Sequence, residues 1–165
     1  MIYEVTTSSP LGEIVVWSTD IGLCGLAFGD GIGQEQTEKK LPQHRTLGDP
    51  HKALRALKDY FRGDLNALRR LPVAVPGTPF QQVVWAHLRS LRAGRTVTYG
   101  EVAQAIGKPT AIRAVGAANA ANPLPLVVPC HRVVGTDGLV GYGPGLDHKR
   151  WLLAHEAPQG QLFSG

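Results

Sequence analysis

The sequence predicts an α+β protein in two parts, a small antiparallel sheet with one helix followed by a mostly helical region. Three observations predict it. Residues 2–28 carry short β-branched and apolar runs separated by turn-forming residues. From residue 78 onward the apolar residues recur at helical spacing instead. Between the two patterns stands Pro76-Gly77, a strong punctuator, so residues 1–77 and 78–165 are expected to be separate domains.

In the first part, residues 2–7 and 13–18 read as two strands joined by Ser8-Ser9-Pro10-Leu11-Gly12, a turn-rich hairpin connection. Residues 22–28 read as a third strand, and the polar, glycine-rich residues 29–50 as a surface loop. Leu54, Leu57, Tyr60 and Phe61 are helically spaced and predict a helix over 51–62. Residues 71–75 are expected to add one short strand.

In the second part, Thr78-Pro79-Phe80-Gln81 carries a cap, a proline suited to the first helical position and a glutamine able to complete a capping box. Phe80, Val83, Val84, Leu88 and Leu91 then mark one face of a helix ending near Gly94. A short helix over 99–106 follows, then a break at Gly107-Lys108-Pro109, then a second helix capped by Thr110 and running to about Ala120. This is a helix-turn-helix pattern, although spacing alone fits an ordinary helical hairpin equally well. The second helix is nearly bare: Ala111, Ala114, Gly116, Ala117, Ala118, Ala120 and Ala121 leave Arg113 as its only charge. Glycine in a helix interior costs about 1 kcal/mol relative to alanine, so bareness calls for a reason. Close packing against another helix is one; entry into a narrow space such as a DNA minor groove, with Arg113 as a probe, is another. Too few side chains are offered to read base edges in a major groove.

The chain has 165 residues, 43% hydrophobic and 18% charged, a globular composition long enough for a full core. No apolar run approaches the roughly 18 residues of a membrane span, and no signal peptide is expected at the N-terminus. Cys24 and Cys130 are the only cysteines and make no disulfide framework, which fits a reducing, cytoplasmic setting. The net charge of +4 lies wholly in the second part: residues 1–77 hold nine Lys/Arg and nine Asp/Glu, residues 78–165 eight and four. A polyanion such as DNA accounts for this, but so small an excess also arises by chance.

The feature that carries chemistry is Pro129-Cys130-His131-Arg132-Val133, set between the apolar run Leu124 to Val128 and a glycine-rich loop. A free thiol titrates near about 8.5, so only a few per cent is thiolate at neutral pH, and a histidine able to take its proton lifts that limit. Neighbouring side chains on a strand point to opposite faces, but Pro129 disfavours a strand, and a turn would bring the pair together. The histidine would need a third group, usually a carboxylate, to hold its ring. Glu101, Asp137, Asp147 and Glu156 are all available, and spacing does not choose among them; Glu156 stands in the apolar segment beginning Trp151-Leu152-Leu153. A buried, inert cysteine is the competing reading.

These motifs carry a resemblance. Gly77-Thr78-Pro79-Phe80-Gln81, Thr98-Tyr99-Gly100-Glu101, Ile112-Arg113-Ala114-Val115-Gly116, Asn122-Pro123, Val128 to Val133 and Trp151-Leu152-Leu153 together resemble the O6-alkylguanine-DNA alkyltransferases continuously over residues 78–165. Residues 1–77 resemble, more loosely, the ribonuclease H-like domain that precedes this one, and the resemblance makes the helix-turn-helix one of winged-helix type. It implies direct repair of O6-alkylguanine, and of O4-alkylthymine, by a single irreversible alkyl transfer to Cys130. His131 would take the thiol proton through a water, Glu156 would orient His131, and Asn122 would join the recognition helix to the active-site turn. Tyr99 would help flip the nucleotide, Arg113 would fill the gap left in the duplex, and Ala114 and Gly116 would let the helix approach DNA. Arg132, Val133, Tyr142 and Gly143 would contact DNA or line the base pocket. Some relatives carry serine where Gly143 stands.

The resemblance further implies a monomer on duplex DNA, with scope for cooperative binding along it, no membrane partner and no cofactor. Zinc prefers four ligands, and lone Cys24 with His44 and His51 does not supply them, so no metal is expected. Two rivals make different demands. A non-enzymatic sensor of alkylated DNA typically carries tryptophan in place of the cysteine, and a cysteine hydrolase would turn over without needing Arg113.

Overall fold

In the computed structural model, which describes residues 1–29, 37–136, 138, 142 and 144–158, the first hairpin is longer than its sequence pattern. Strand β1 (Ile2–Ser9) pairs antiparallel with β2 (Gly12–Ser18), and β2 with β3 (Leu23–Phe28). Every residue of β3 is buried. Its outer edge is covered: Leu26 N–H donates to Pro123 O at 3.0 Å, and Leu23 forms a parallel bridge with Val73. These partners occupy backbone groups that an edge strand would otherwise leave open.

Two expectations fail in this part. Within the expected loop 29–50, β4 (Arg45–Leu47) joins the sheet parallel to β1, giving the order β3-β2-β1-β4 and a mixed sheet. Its three residues carry no alternation, so pairing rests on long-range anchors. The Glu4 carboxylate accepts from Trp17 Nε1 at 2.6 Å and from Arg45 Nη1 at 3.0 Å. The expected strand over 71–75 shrinks to the single Val73 bridge, because Pro72 has no N–H to extend a ladder. Helix α1 (Ala53–Phe61) starts where the Asp49 carboxylate accepts from the N–H groups of Ala53 and Leu54, at 2.7 and 3.0 Å. A 3-10 turn over Ala67–Arg70 follows.

Helix α2 (Pro79–Ser90) begins with the expected capping box, Thr78 and Gln81 bonded reciprocally at 3.0 and 3.1 Å. It stops short of Gly94: Leu91 is already extended, which frees its carbonyl for another partner. A second capping box, Thr98 with Glu101, opens α3 (Tyr99–Ala105). Helix α4 (Ile112–Ala120) is not capped by Thr110. A turn closed by Ala111 N–H to Lys108 O delays the helix, and Ala111 takes the cap position without a side-chain bond. Of the small residues of this stretch Ala118 is the buried one, and there Trp85 of α2 donates from Nε1 to Ala118 O at 2.9 Å; Ala114, Ala117, Ala120 and Ala121 are exposed. Residues Val97–Thr98 (β5) and Val133–Val134 (β6) form a short parallel pair, and α5 (Leu146–Glu156) is the last element among the described residues.

The chain forms two compact units. One comprises residues 1–76 with 123–127, the other residues 77–122 with 128–165. A boundary read from sequence is linear, whereas the chain leaves the second unit after Asn122, contributes five residues to the first, and returns at Val128.

Candidate active site

Pro129 sits at φ −79° and ψ 66°, and Cys130 N–H donates to Val128 O at 2.8 Å. These are the angles and the bond of an inverse γ-turn centred on the proline. The 3-10 turn Cys130–Arg132 continues from it. Asn122, the last residue before the excursion to the first unit, donates from Nδ2 to the same Val128 carbonyl at 2.8 Å. One backbone oxygen thus ties both ends of the excursion and sets where Cys130 enters.

The turn sends its side chains inward. Cys130 is 5% exposed, His131 is fully buried and Arg132 is 5% exposed. Of the four candidate acids, His131 meets Glu156, with Nε2 to Oε2 at 2.8 Å. Glu101 is committed to its capping box, Asp147 pairs at the surface with Arg150, and Asp137 lies outside the described residues. Gly94, at φ +86°, lets the end of α5 come close: a methyl there would stand 2.9 Å from the Glu156 carbonyl.

Arg132 is placed differently from the DNA contact its sequence grouping implied. It grips Glu156 with Nε at 2.8 Å and Nη2 at 2.9 Å, and its Nη1 donates to the Leu91 carbonyl at 2.8 Å. A bidentate pair of this kind gives fixed geometry as well as attraction. The His131 and Arg132 charges and bonds hold the Glu156 carboxyl well below the usual carboxylate range, against the opposing effect of burial. With Glu156 ionised, Nε2 of His131 donates to it, and in the neutral imidazole that arrangement leaves Nδ1 as an acceptor. That Nδ1 is buried and has no hydrogen-bond partner among the described residues.

Burial pushes the Cys130 thiol up to about 11, opposed by a hydrogen bond from Asn122 and by the charge of Lys149. Lys149, absent from the sequence reading, is fully buried and donates from Nζ to Val133 O at 2.7 Å. Burial pushes it down to about 8, so it stays largely charged at neutral pH. The thiol is therefore neutral at rest, and its thiolate is favoured by Asn122, Lys149 and its own backbone N–H.

Tyr99 opens α3, half-buried, close enough to Cys130 for a charge on one to be felt by the other. Its ring edge lies near Gly116: a methyl there would stand 3.9 Å from Tyr99 Cδ1, an ordinary contact. Tyr99 therefore does not demand the glycine, and the bareness of Gly116 is available to an incoming surface. Arg113 and Ala114 are exposed on α4. Val133 is buried, its carbonyl occupied by Lys149. Tyr142 lies edge-on to His131 with ring centroids 6.4 Å apart, while Gly143 lies outside the described residues. Among the described residues no His/Cys/Asp/Glu cluster suits a metal, and no helix is long and apolar enough to cross a membrane. The sequence reading also passed over Asn119, which is 7% exposed beside the Cys130 carbonyl. The available signal was a lone amide one turn beyond Gly116 in an otherwise bare helix.

Comparison with known proteins covers both parts of the chain. Residues 1–75 match the family described as 6-O-methylguanine DNA methyltransferase, ribonuclease-like domain, and residues 79–158 its DNA binding domain. A methylated-DNA–protein-cysteine methyltransferase of Shigella flexneri is 50% identical over 61% of this chain, and the match spans 59% of that relative's own length. One from Methanosarcina barkeri is 41% identical, covering 94% of this chain and 97% of its own. The crystal structure of Mycobacterium tuberculosis OGT in complex with DNA superposes with a TM-score of 0.78 at 36% identity, covering 95% of this chain and 96% of that one.

Proposed function

From the premise that this chain belongs to the 6-O-methylguanine DNA methyltransferase family, we propose that it repairs alkylated DNA by moving the alkyl group from guanine O6 to Cys130. The observation that carries the reading is the buried thiol beside a histidine whose Nε2 is held by Glu156 and whose Nδ1 is left open.

The chemistry is a displacement at saturated carbon. Cys130 Sγ forms a bond to the alkyl carbon as the bond from that carbon to guanine O6 breaks. The thiol proton passes through a water to His131 Nδ1, and the departing guanine regains a proton, so the net exchange is hydrogen for alkyl on the base. Asn122 and Lys149 favour the thiolate during this step. The product is a thioether with no group nearby to reverse it, so each molecule acts once and needs no cofactor. Thymine alkylated at O4 presents the same kind of ether carbon.

The target atom lies inside the base stack, so the nucleotide has to leave it, at a cost of a few kcal/mol. In this reading α4 enters the minor groove, its Ala114 and Gly116 surface allows close approach, Arg113 fills the vacated space, and Tyr99 and Tyr142 face the flipped base. We assign binding and transfer to residues 78–165 and a supporting role to residues 1–77. The protein acts as a monomer on duplex DNA. A reducing, cytoplasmic setting belongs to the same reading, because Cys130 has to remain a free thiol.

The test is incubation with duplex DNA carrying O6-methylguanine, followed by mass mapping of the peptide around Cys130. A single methyl on Cys130, with one turnover per molecule, is the expected result. No methyl under conditions where the duplex is bound would leave a sensor, and repeated turnover would point to a hydrolase. Arg113→Ala should slow reaction on duplex at least tenfold more than reaction with free O6-benzylguanine, on the order of one lost transition-state contact.

A further inference from the structure

Residues 1–77 carry as many acids as bases, yet one face of α1 is strongly basic. Lys52 and Arg62 flank the helix, Arg55 and Lys58 lie on it, and all four are exposed. At about 100° per residue they fall within about a third of the helix circumference. Ala53, Leu57 and Tyr60 are buried on the opposite side. The four cations line a groove of about 860 Å³ together with Asp49, Asp59 and Leu54.

Among the described residues none of the four makes an ion pair, whereas Arg45, Arg70, Arg132 and Arg150 each pair with a carboxylate. Both Asp49 oxygens are taken up by the N–H groups of Ala53 and Leu54. Asp59 stands four residues after Arg55 and three before Arg62, the spacing of a helical pair, and closes with neither. Like charges three and four apart repel, and the cations follow one another at those intervals. Lys52 also holds φ 58° and ψ 40°, the left-handed region that favours glycine. The stripe therefore costs the free protein stability, and an external anion would recover it.

The length of the stripe fits a nucleic-acid backbone. From Lys52 to Arg62 the rise is about 15 Å, and one strand of duplex DNA carries a phosphate every ~3.4 Å of axis, so about four phosphates run alongside. A lipid surface would take apolar side chains, but the apolar side of α1 is buried in the core and Leu54 alone lines the groove. A protein partner would need an aromatic or apolar centre, which this face lacks. We propose that the basic face of α1 is a second DNA contact, a site for the phosphate backbone carried by the first unit. Its partner rests on the reading of this chain as a DNA repair protein, and it gives residues 1–77 a share in the grip on DNA.

The test is the salt dependence of binding to an unmodified DNA duplex, read by fluorescence anisotropy on the full chain. Neutralising Arg55 and Lys58 together, as Arg55→Gln with Lys58→Gln, should flatten the slope of log affinity against log salt by about 1 to 2. Lys39→Gln with Lys40→Gln removes the same two charges from the first unit away from this face, and should flatten it by less than about 0.5. Lys52→Gly removes one charge while relieving its backbone, so it should fold at least as well as wild type and still flatten the slope by just under about 1. Methyl uptake from free O6-benzylguanine should stay at the wild-type rate in every variant. An unmoved slope in the Arg55 and Lys58 pair, or an equal change in both pairs, overturns the proposal. So does an unmoved DNA slope combined with loss of binding to polyglutamate, which would place an acidic polypeptide on this face. If wild type binds the duplex but Cys130 takes no methyl, it is the repair reading that falls, and the slopes still decide the α1 contact.

Discussion

Cys24 and Cys130 are buried almost equally, 7% and 5% exposed, yet their surroundings differ in kind. Cys24 lies on β3 among Val15, Trp17 and Ala27. Burial raises its thiol, and only its own backbone offers any opposing interaction. Cys130 stands at the end of an inverse γ-turn, with an Asn122 hydrogen bond and the Lys149 charge opposing the same burial effect and an open His131 Nδ1 in the same turn. Burial by itself therefore does not mark an inert cysteine. What separates the two is whether the fold supplies groups that favour sulfur as an anion and a base to receive its proton.

The largest effect that tests this contrast comes from deleting each thiol in turn. Cys130→Ala should bind duplex and show no methyl uptake by intact mass. Cys24→Ala should keep the wild-type rate and lose about 1 kcal/mol of stability, the cost of a small void. Methyl uptake by Cys130→Ala at Cys24 would erase the distinction between the two environments.

Glu156→Gln comes next. It keeps the shape of the site but strips the charge that Arg132 and His131 share. Leaving Arg132 buried with a neutral partner should cost about 3 kcal/mol in urea unfolding. Loss of the oriented base should slow transfer on the order of 100-fold. A slow but fully stable variant would mean that Arg132 is satisfied elsewhere.

Lys149→Met sharpens the electrostatic side of the contrast. Removing the cation leaves the Cys130 thiol harder to ionise, so the pH profile of its alkylation by iodoacetamide should shift upward, with about a tenfold loss at a fixed pH near neutrality. The profile of Cys24 should not move.

The smallest effect is in acid. The Glu156 carboxyl titrates below its ordinary value of about 4.3 in the folded protein, so it stabilises the fold above that value, and the contribution is lost as pH falls through the lower folded value. Wild type should therefore lose stability below about pH 4 more steeply than Glu156→Gln, as read by urea midpoints at successive pH values. Parallel slopes would remove Glu156 as the acid-sensitive group.

Several elements were legible because their signals are short-range. Thr78-Pro79-Phe80-Gln81 predicted its capping box, since both bonds close within four residues. The hairpin of residues 2–18 and the helix near 53–61 followed from alternation and helical spacing. Thr110 misled for a related reason. It has the chemistry of a cap, but the Lys108 turn carries the chain past it before α4 begins. Strand β4 was illegible because three residues hold no periodicity, and its pairing depends on Arg45 reaching Glu4 across 41 positions.

At the site the division runs along the same line. The sequence by itself determined that a cysteine and a histidine would sit at a proline-initiated turn between an apolar run and a loop, and its motifs named the family. Spacing did not choose among four acids, although the resemblance pointed to Glu156; Arg132 was grouped with the DNA and base contacts, and Lys149 and Asn119 went unmarked. Those were decided by tertiary structure: α5 brings Glu156 back across 25 residues to His131, Arg132 follows Glu156 inward, and Lys149 closes on Val133. Caps, turns and periodicities are energies of neighbouring residues and can be read along a chain. The partner of a buried charge is fixed by which distant segments share the space from which water has been excluded, and only the packed fold determines that.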